Sequence, residues 1–280
     1  FMKKRNEYLI NQKKYNENFN SPIHDGLLKD YEDSNKILLI LNESYGYFKN
    51  ENINKEIISS ILNKKDSYID FSFGKFKYSG VTIGGEFREL CDKNSRGVDF
   101  YSLKQAYDNC IPKLLQSSGF KTMAIHGGGK KFYNRDIWYP EVGFENMYFE
   151  DAFSDLPNCK SFNGKCDKDL IPFIISKFSL NQKTFVYWLT INTHEPYDEK
   201  VINNERVNCS KFMLENNSLI CKNIKLQAQF FDHLSRFLND PNMKGVSVYI
   251  VGDHPPPIWN VQERNKYFDE SVSWIHFKIN

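Results

Sequence analysis

Side chains that could bind a metal ion follow two of the apolar segments in the sequence. Glu43 comes two residues after the segment Ile37–Leu41, and Asp253 and His254 follow the segment Val246–Val251. Carboxylate oxygens and imidazole nitrogens are together suitable ligands for Zn²⁺ or Mn²⁺. Each side chain alone could equally be a loop carboxylate or a turn cap, so the prediction of a metal site depends on their occurring together.

Two histidines occupy equivalent positions after other apolar segments. His126 precedes three glycines at the end of Phe120–Ile125, and His194 lies in the segment Asn-Thr-His-Glu-Pro-Tyr after Thr184–Ile191. In an open α/β sheet, ligands bind beyond the carboxyl ends of the strands. We therefore expect both histidines at the same sheet edge as the candidate metal ligands, the alternative for His126 being a solvated loop residue.

A candidate nucleophile, Thr82, lies in a glycine-containing stretch from Ser79 to Gly85. Glycines let the backbone approach a ligand closely, and the start of a helix offers free N–H groups to a phosphate. Coordination to a divalent metal would favour the alkoxide of this side chain, which is otherwise a poor nucleophile. The alternative is that Thr82 only caps the helix that follows.

Apolar segments alternate with helical ones from Lys36 onward, which favours an α/β fold with a mostly parallel central sheet flanked by helices. The predicted strands are Ile37–Leu41, Phe120–Ile125, Thr184–Ile191, Val246–Val251 and Val272–Ile279. The predicted helices are Ile53–Leu62, Ser102–Ser118 with a capping box at Ser102 and Gln105, Asp167–Phe178 and Ile220–Leu238. Residues 1–35 are rich in Lys, Asn, Glu and Asp, and we interpret them as a connector or surface arm before one domain over residues 36–280.

The composition disfavours two classes of function. The 280 residues include 37 Lys and Arg against 35 Asp and Glu, a net charge of +2, so nucleic-acid binding through bulk charge is not expected. No apolar run approaches the roughly 20 residues that cross a bilayer. We therefore expect a soluble, globular chain. Since the cysteines suggest an oxidising compartment and no export signal is visible, we also expect a fragment whose targeting or membrane segment lies upstream.

The chain has six cysteines, and none of them stands in a C-x-x-C zinc pattern. The spacing suggests the pairs Cys159 with Cys166 and Cys209 with Cys221, which leaves Cys91 with Cys110. Three disulfides would indicate an oxidising compartment such as a periplasm or a cell surface. The alternative is six unrelated reduced thiols.

Taken together, these motifs resemble the alkaline phosphatase–sulfatase superfamily, and within it the catalytic domains of membrane-anchored phosphoglycerol and phosphoethanolamine transferases of the lipoteichoic acid synthase type. The resemblance runs from about Ile37 to the C-terminus. The matching segments are Ile37–Ser44, Thr82–Phe87, His126–Gly127, Phe132–Asp136, Gly143–Phe144, Asn192–Tyr197 and Gly252–His254.

The resemblance implies roles for eight residues. The residues implied to bind one divalent metal ion, zinc or manganese, are Glu43, Thr82, Asp253 and His254. The residues implied to contact the phosphoryl group or the headgroup are His126, Tyr133, Arg135 and His194. Tyr133 stands where related enzymes often carry Trp. The family also allows a second metal ion, but the segment around His194 lacks the extra histidines of some phosphoethanolamine transferases.

By the same resemblance, the expected reaction moves a phosphoethanolamine or phosphoglycerol group from a phospholipid donor, through a phosphodiester on Thr82, to a surface glycan or lipid A acceptor. The expected location is the periplasmic face of the inner membrane, with an N-terminal anchor holding the domain there. A phosphodiesterase or phosphatase would use the same residues. A sulfatase would need the motif C/S-x-P-x-R, whereas the nearest segment, Cys110–Leu114, lacks the Arg. A binding domain that kept the fold and lost catalysis is the alternative outside enzymes.

Overall fold

The structure is a computed structural model that describes residues 19–78, 80–94, 107, 109–160, 163–180, 182–203 and 206–280. In this part of the chain, the strands are β1 (Lys36–Asn42), β2 (Gly46–Phe48), β3 (Tyr68–Lys77), β4 (Lys121–His126), β5 (Asn146–Tyr148), β6 (Thr184–Leu189), β7 (Ser247–Gly252) and β8 (Tyr267–Ile279). The α-helices are α1 (Pro22–Asp30), α2 (Glu51–Ile57), α3 (Ser59–Leu62), α4 (Thr82–Cys91), α5 (Ile111–Ser117), α6 (Arg135–Glu141), α7 (Asp167–Phe178), α8 (Leu219–Phe237) and α9 (Val261–Arg264).

All eight described strands belong to one sheet, in the order β2-β8-β7-β1-β6-β4-β5, with β3 also pairing with β8. Strands β7, β1, β6, β4 and β5 are parallel to one another, whereas β8 runs antiparallel to its three neighbours. The prediction of an α/β fold with a mostly parallel sheet is confirmed. At the carboxyl edge, Leu41 of β1 pairs with Leu189 on one side and with Val251 on the other.

Both faces of the sheet are covered, which explains the uninterrupted apolar sequence of β1. Alternate residues of this strand point into two separate cores, Leu38 and Ile40 into one and Ile37, Leu39 and Leu41 into the other. The first core includes side chains from α2, α3, α7 and α8, and the second includes side chains from α1, α4, α5 and α6. A strand buried on both faces needs no polar alternation.

Several element bounds differ from the sequence prediction. The predicted helix Ser102–Ser118 begins at Ile111 in the described residues, and its predicted capping box lies outside them. The predicted helix Ile53–Leu62 is two short helices, α2 and α3. Strand β3 was not predicted at all, since its apolar residues are only partly buried at the edge of the sheet.

The segment before β1 is more ordered than a connector requires. Ser21 caps α1 by accepting hydrogen bonds from the amides of Ile23 and His24, and Pro22 occupies the first turn. Ile23 and Leu27 are buried in the second core. Part of the predicted connector over residues 1–35 therefore packs on the domain, and residues 1–18 lie outside the described residues.

The three predicted cysteine pairs are confirmed as disulfides. The bonded pairs are Cys91–Cys110, Cys159–Cys166 and Cys209–Cys221. Because Cys110 is part of a disulfide, it is not available as the nucleophile of a sulfatase. No helix of the described part combines the length and apolar character needed to cross a membrane.

Candidate active site

Two carboxylates and an imidazole meet at the carboxyl edge of the sheet. Asn42 of β1 is paired with Gly252 of β7, so the residues that follow them, Glu43 and Asp253, emerge side by side. One ligand atom from each of Glu43, Asp253 and His254 lies within 4.8 Å of the others, and all three residues are buried. The structure thus brings together three of the four predicted metal ligands.

The backbone around this cluster holds the side chains in place. Asp253 Oδ1 accepts hydrogen bonds from the amides of Ser44 at 2.8 Å and of His254 at 2.7 Å. His254 Nδ1 donates to the carbonyl oxygen of Pro255 at 2.8 Å, which turns Nε2 towards the carboxylates. His254 Nε2 then lies 3.3 Å from Glu43 Oε1 and 3.3 Å from Asp253 Oδ2. The cluster directs carboxylate oxygens and an imidazole nitrogen towards one point.

The electrostatics of the cluster indicate a shortage of positive charge. Burial, together with the charge of Glu43, raises the pKa of Asp253 to about 8. Burial alone would also raise the pKa of Glu43, but the His254 imidazolium lowers it to about 2. Burial would lower the pKa of His254, yet the two carboxylates raise it to about 10. Two buried carboxylates therefore compete for one imidazolium.

The donor set fits a divalent cation. Asp253 Oδ2 is fully buried and accepts no hydrogen bond, since its 3.3 Å contact with His254 Nε2 is an ion pair only. A buried oxygen without a hydrogen bond is costly. A cation bound between Glu43, Asp253 and His254 would satisfy this oxygen and neutralise the excess carboxylate charge. Mixed oxygen and nitrogen ligands suit zinc or manganese.

Thr82 lies beside this cluster as the first residue of α4. Its hydroxyl donates to Glu43 Oε2 at 3.4 Å, and the residue is buried. The helix approaches the cluster closely because residue 85 is glycine: a Cβ there would lie 2.7 Å from the carbonyl oxygen of Asp253. The hydroxyl predicted as nucleophile and the predicted metal ligands are therefore neighbours.

The two predicted histidines lie at the same edge. His126 ends β4, and its Nδ1 donates to the carbonyl oxygen of Leu189 at 3.0 Å. Burial is the main cause that lowers the pKa of His126, and the positive charge of Arg135 is the second. Together they bring this pKa to about 3, so the ring is neutral at pH 7. His194, half-buried in the loop after β6, is close enough to Glu43 to help lower the pKa of that carboxylate.

Arg135 forms an ion pair that the sequence motifs do not reveal. Its Nη2 and Nε donate to the Glu86 carboxylate at 2.9 Å and 3.2 Å, and both side chains are buried. Tyr139 also donates to Glu86. The guanidinium lies 5.3 Å from the centre of the Tyr133 ring. Glu86 follows Thr82 by four residues, which places both on one face of α4. This spacing was the signal in the sequence that Glu86 lies on the same side of the helix as the candidate nucleophile.

Asp167 is a further buried carboxylate that the sequence pattern does not reveal. It accepts hydrogen bonds from the amides of Ile191 and Asn192, at the start of the loop that contains His194. Burial raises the pKa of Asp167 to about 7. Its position as the first residue of α7 gave no indication of this contact.

The fold and the site define an α/β protein with a candidate metal centre beside a threonine hydroxyl, at the carboxyl edge of a mostly parallel sheet. The family model described as Sulfatase matches residues 77–273, which is more than half of the chain. The chain belongs to the sulfatase family. This confirms the resemblance to the alkaline phosphatase–sulfatase superfamily.

Comparisons with individual proteins agree with this assignment. The lipoteichoic acid synthase of Staphylococcus aureus is 25% identical over 269 residues, covering 88% of this chain and 39% of that protein. The chain thus spans about two fifths of the length of this relative. The crystal structure of the lipoteichoic acid synthase LtaP from Listeria monocytogenes superposes with a TM-score of 0.64 at 20% identity, covering 88% of this chain and 67% of that one. The Streptococcus pyogenes phosphoglycerol transferase GacH, in complex with sn-glycerol-1-phosphate, gives a TM-score of 0.62 at 21% identity, covering 90% and 74%.

Proposed function

We propose that this protein is a metal-dependent phosphotransferase that moves a phosphoglycerol or phosphoethanolamine group from a phospholipid to a surface glycan or to lipid A. The observation that carries the proposal is the Thr82 hydroxyl beside the buried cluster of Glu43, Asp253 and His254. The proposal is supported by relatives that are named lipoteichoic acid synthase and phosphoglycerol transferase. The three disulfides support a location outside the cytoplasm, such as the periplasm.

Four residues would hold the cation: Glu43, Asp253, His254 and Thr82. A bound zinc or manganese ion would act as a Lewis acid and lower the pKa of the Thr82 hydroxyl. Glu43 accepts the hydrogen bond of that hydroxyl and so orients its oxygen. The N-terminus of α4 presents amide groups and a positive dipole end to a phosphoryl group beside Thr82.

The proposed reaction consists of two successive nucleophilic displacements at the phosphorus atom. Thr82 Oγ1 attacks the phosphorus of the donor, its proton leaves, the bond to the diacylglycerol oxygen breaks, and that oxygen takes up a proton. A phosphodiester on Thr82 results. A hydroxyl of the acceptor then attacks the same phosphorus and loses its proton, and the bond to Thr82 breaks as Thr82 recovers a proton. Positioning and electrostatic stabilisation are the main forms of catalysis open to such transfers.

The remaining predicted residues have distinct roles in this proposal. His126 is neutral at pH 7, so its Nε2 would accept a hydrogen bond rather than add a charge. His194 is the candidate acid or base for the leaving and entering oxygens. Because Glu86 neutralises Arg135, the guanidinium would donate hydrogen bonds to the phosphoryl oxygens without adding net charge. Tyr133 would pack against the headgroup.

Intact mass spectrometry tests the intermediate. The metal-loaded protein is incubated with phosphatidylglycerol or with phosphatidylethanolamine, and the mass of any adduct identifies the transferred headgroup. We expect an adduct on the wild type and on Thr82→Ser, which keeps the hydroxyl, and none on Thr82→Ala. Absence of any adduct with either lipid, despite a bound metal ion, would contradict the proposed mechanism.

Two further measurements separate the alternatives. A phosphodiesterase would release free glycerol phosphate or ethanolamine phosphate when no acceptor is present, at a rate that an added glycan does not change. A binding domain without catalysis would purify without a stoichiometric metal ion. We expect instead about one zinc or manganese ion per chain by elemental analysis, and its loss in Glu43→Ala.

A further inference from the structure

A buried arginine that is not a candidate ligand binds the backbone of Gly252–His254, the segment that carries two of the candidate metal ligands. We call this segment the metal-site turn. Arg88 Nη2 donates to the carbonyl oxygen of Gly252 at 2.6 Å, and Nη1 donates to that of Asp253 at 3.1 Å. The Arg88 side chain is fully buried. We call this pair of contacts the Arg88 fork. Because the planar guanidinium binds two consecutive carbonyls, it restrains the peptide between them more than a single contact would.

The same face of α4 touches this turn one helical turn earlier. Gly85 lies three residues before Arg88, and a Cβ at residue 85 would be 2.8 Å from the Cα of Asp253. Thr82 lies three residues earlier again, so all three positions follow one side of the helix. The helix that presents the candidate nucleophile therefore also fixes the main chain of Asp253.

The charge of Arg88 is balanced by a network that leads to the N-terminal segment. Arg88 Nε donates to Glu89, whose side chain is also fully buried. The Ser21 hydroxyl lies 2.9 Å and 2.8 Å from the two oxygens of that carboxylate. His24 Nδ1 donates to the carbonyl oxygen of Glu89 at 2.8 Å. The Tyr78 ring lies 4.1 Å from the guanidinium carbon. The start of α1 is thus connected to the metal-site turn through two buried side chains.

We propose that Arg88 is a positioning residue that sets the metal affinity of the site, and that Ser21 at the start of α1 supports it through Glu89. The Asp253 carboxylate has only Oδ1 held by amides, so the direction of Oδ2 depends on where its main chain lies. Arg88 fixes that main chain. The inference rests on the proposed function only in taking Glu43, Asp253 and His254 as the metal ligands.

Isothermal titration of the metal-stripped protein with MnCl₂ and with ZnCl₂ tests this inference without an activity assay. We expect Arg88→Lys, which keeps the charge but loses the fork, to raise Kd roughly 10- to 100-fold, the usual effect of removing an outer partner of a metal ligand. Ser21→Ala should raise Kd in the same direction by a smaller factor.

The chain offers a control in Arg206, which makes the same kind of contact but is 25% exposed, whereas Arg88 is fully buried. Its guanidinium also donates to two consecutive carbonyls, of Glu56 and Ile57, and to the carboxylate of Asp232, but these partners belong to α2 and α8. We expect Arg206→Lys to lower the free energy of unfolding while leaving Kd unchanged. A change in Kd restricted to the Arg88 and Ser21 variants would separate positioning from general stability.

Three results would overturn the inference. A folded Arg88→Lys variant whose Kd lies within roughly twofold of the wild type would show that the fork does not set the affinity. If Arg88→Lys fails to fold, an unchanged Kd in Ser21→Ala would overturn it instead. A wild type that binds neither ion would overturn the metal site of the proposed function, and the inference with it.

Discussion

Replacing Gly85 with alanine should destabilise the protein, although the same change elsewhere in a helix usually stabilises it. Glycine inside a helix costs roughly 0.5–1 kcal/mol relative to alanine. At residue 85, however, a Cβ would lie 2.7 Å from the carbonyl oxygen of Asp253 and 2.8 Å from its Cα, whereas ordinary contacts begin at 3.4 Å. Both atoms belong to the main chain, so no side-chain rotation can relieve the overlap.

The magnitude follows from two opposing contributions. Overpacking of this kind costs typically about 1–3 kcal/mol, and the gain in helix propensity offsets about 1 kcal/mol of it. We expect a net loss of up to about 2 kcal/mol, a fall in Tm of up to roughly 8 °C for a chain of this size. Manganese affinity should fall as well, because the displaced main chain is that of Asp253.

Gly26 provides the matched control. It lies inside α1, and its Cβ would meet only the ring of Tyr249, at 3.8 Å. Gly26→Ala should therefore stabilise the protein by up to about 1 kcal/mol. Urea unfolding of both variants measures the two free energies under one set of conditions. If Gly85→Ala proves as stabilising as Gly26→Ala, the close packing of α4 on the metal-site turn is refuted.

Three other predictions concern stability. Glu86→Gln leaves the buried Arg135 charge uncompensated and should cost about 3–5 kcal/mol in urea unfolding; a loss under 1 kcal/mol would contradict the buried pair. Replacing Cys209 and Cys221 together by serine, which opens a loop with a sequence separation of 12, should lower the free energy of unfolding by about 2–4 kcal/mol, and an unchanged urea midpoint would count against it. The pKa of His126 is about 3 in the folded protein, against an ordinary value of 6.5. Between these two pH values the unfolded chain binds one more proton than the folded chain. The stability that His126 contributes is therefore lost as the pH falls. The difference in stability between wild type and His126→Asn should therefore shrink by about 1.4 kcal/mol per pH unit below pH 6, and parallel pH profiles would refute this.

The sequence predicted the elements that form the candidate site because the rule for strand ends is local. A buried apolar strand is recognisable from its own residues, and parallel neighbours end at the same edge. Glu43 and Asp253 were therefore placed together without knowledge of any tertiary contact, and the structure brings them within one cluster. Helix α7 has the predicted bounds, Asp167–Phe178.

The contacts that support the site were not predictable in the same way. The pair formed by Glu86 and Arg135 joins residues that are 49 apart in sequence, and helical periodicity does not say which neighbour a buried charge will meet. The fork from Arg88 to the carbonyls of Gly252 and Asp253 spans more than 160 residues and involves main-chain atoms, which carry no sequence signature. Helix α1 was hidden by a charged composition, although Ser21 before Pro22 was a usable start signal.

The charge pairs bear on how the proposed phosphodiester substrate would be recognised. The two buried guanidinium groups near the site are each compensated, Arg88 by Glu89 and Arg135 by Glu86. His126 is neutral at pH 7. The carboxylates of the metal cluster outnumber its single imidazole. A phosphodiester would therefore meet little net positive charge from the protein itself, so we infer that affinity for the headgroup depends on the bound cation rather than on a basic surface. A net charge of only +2 for the whole chain is consistent with that design.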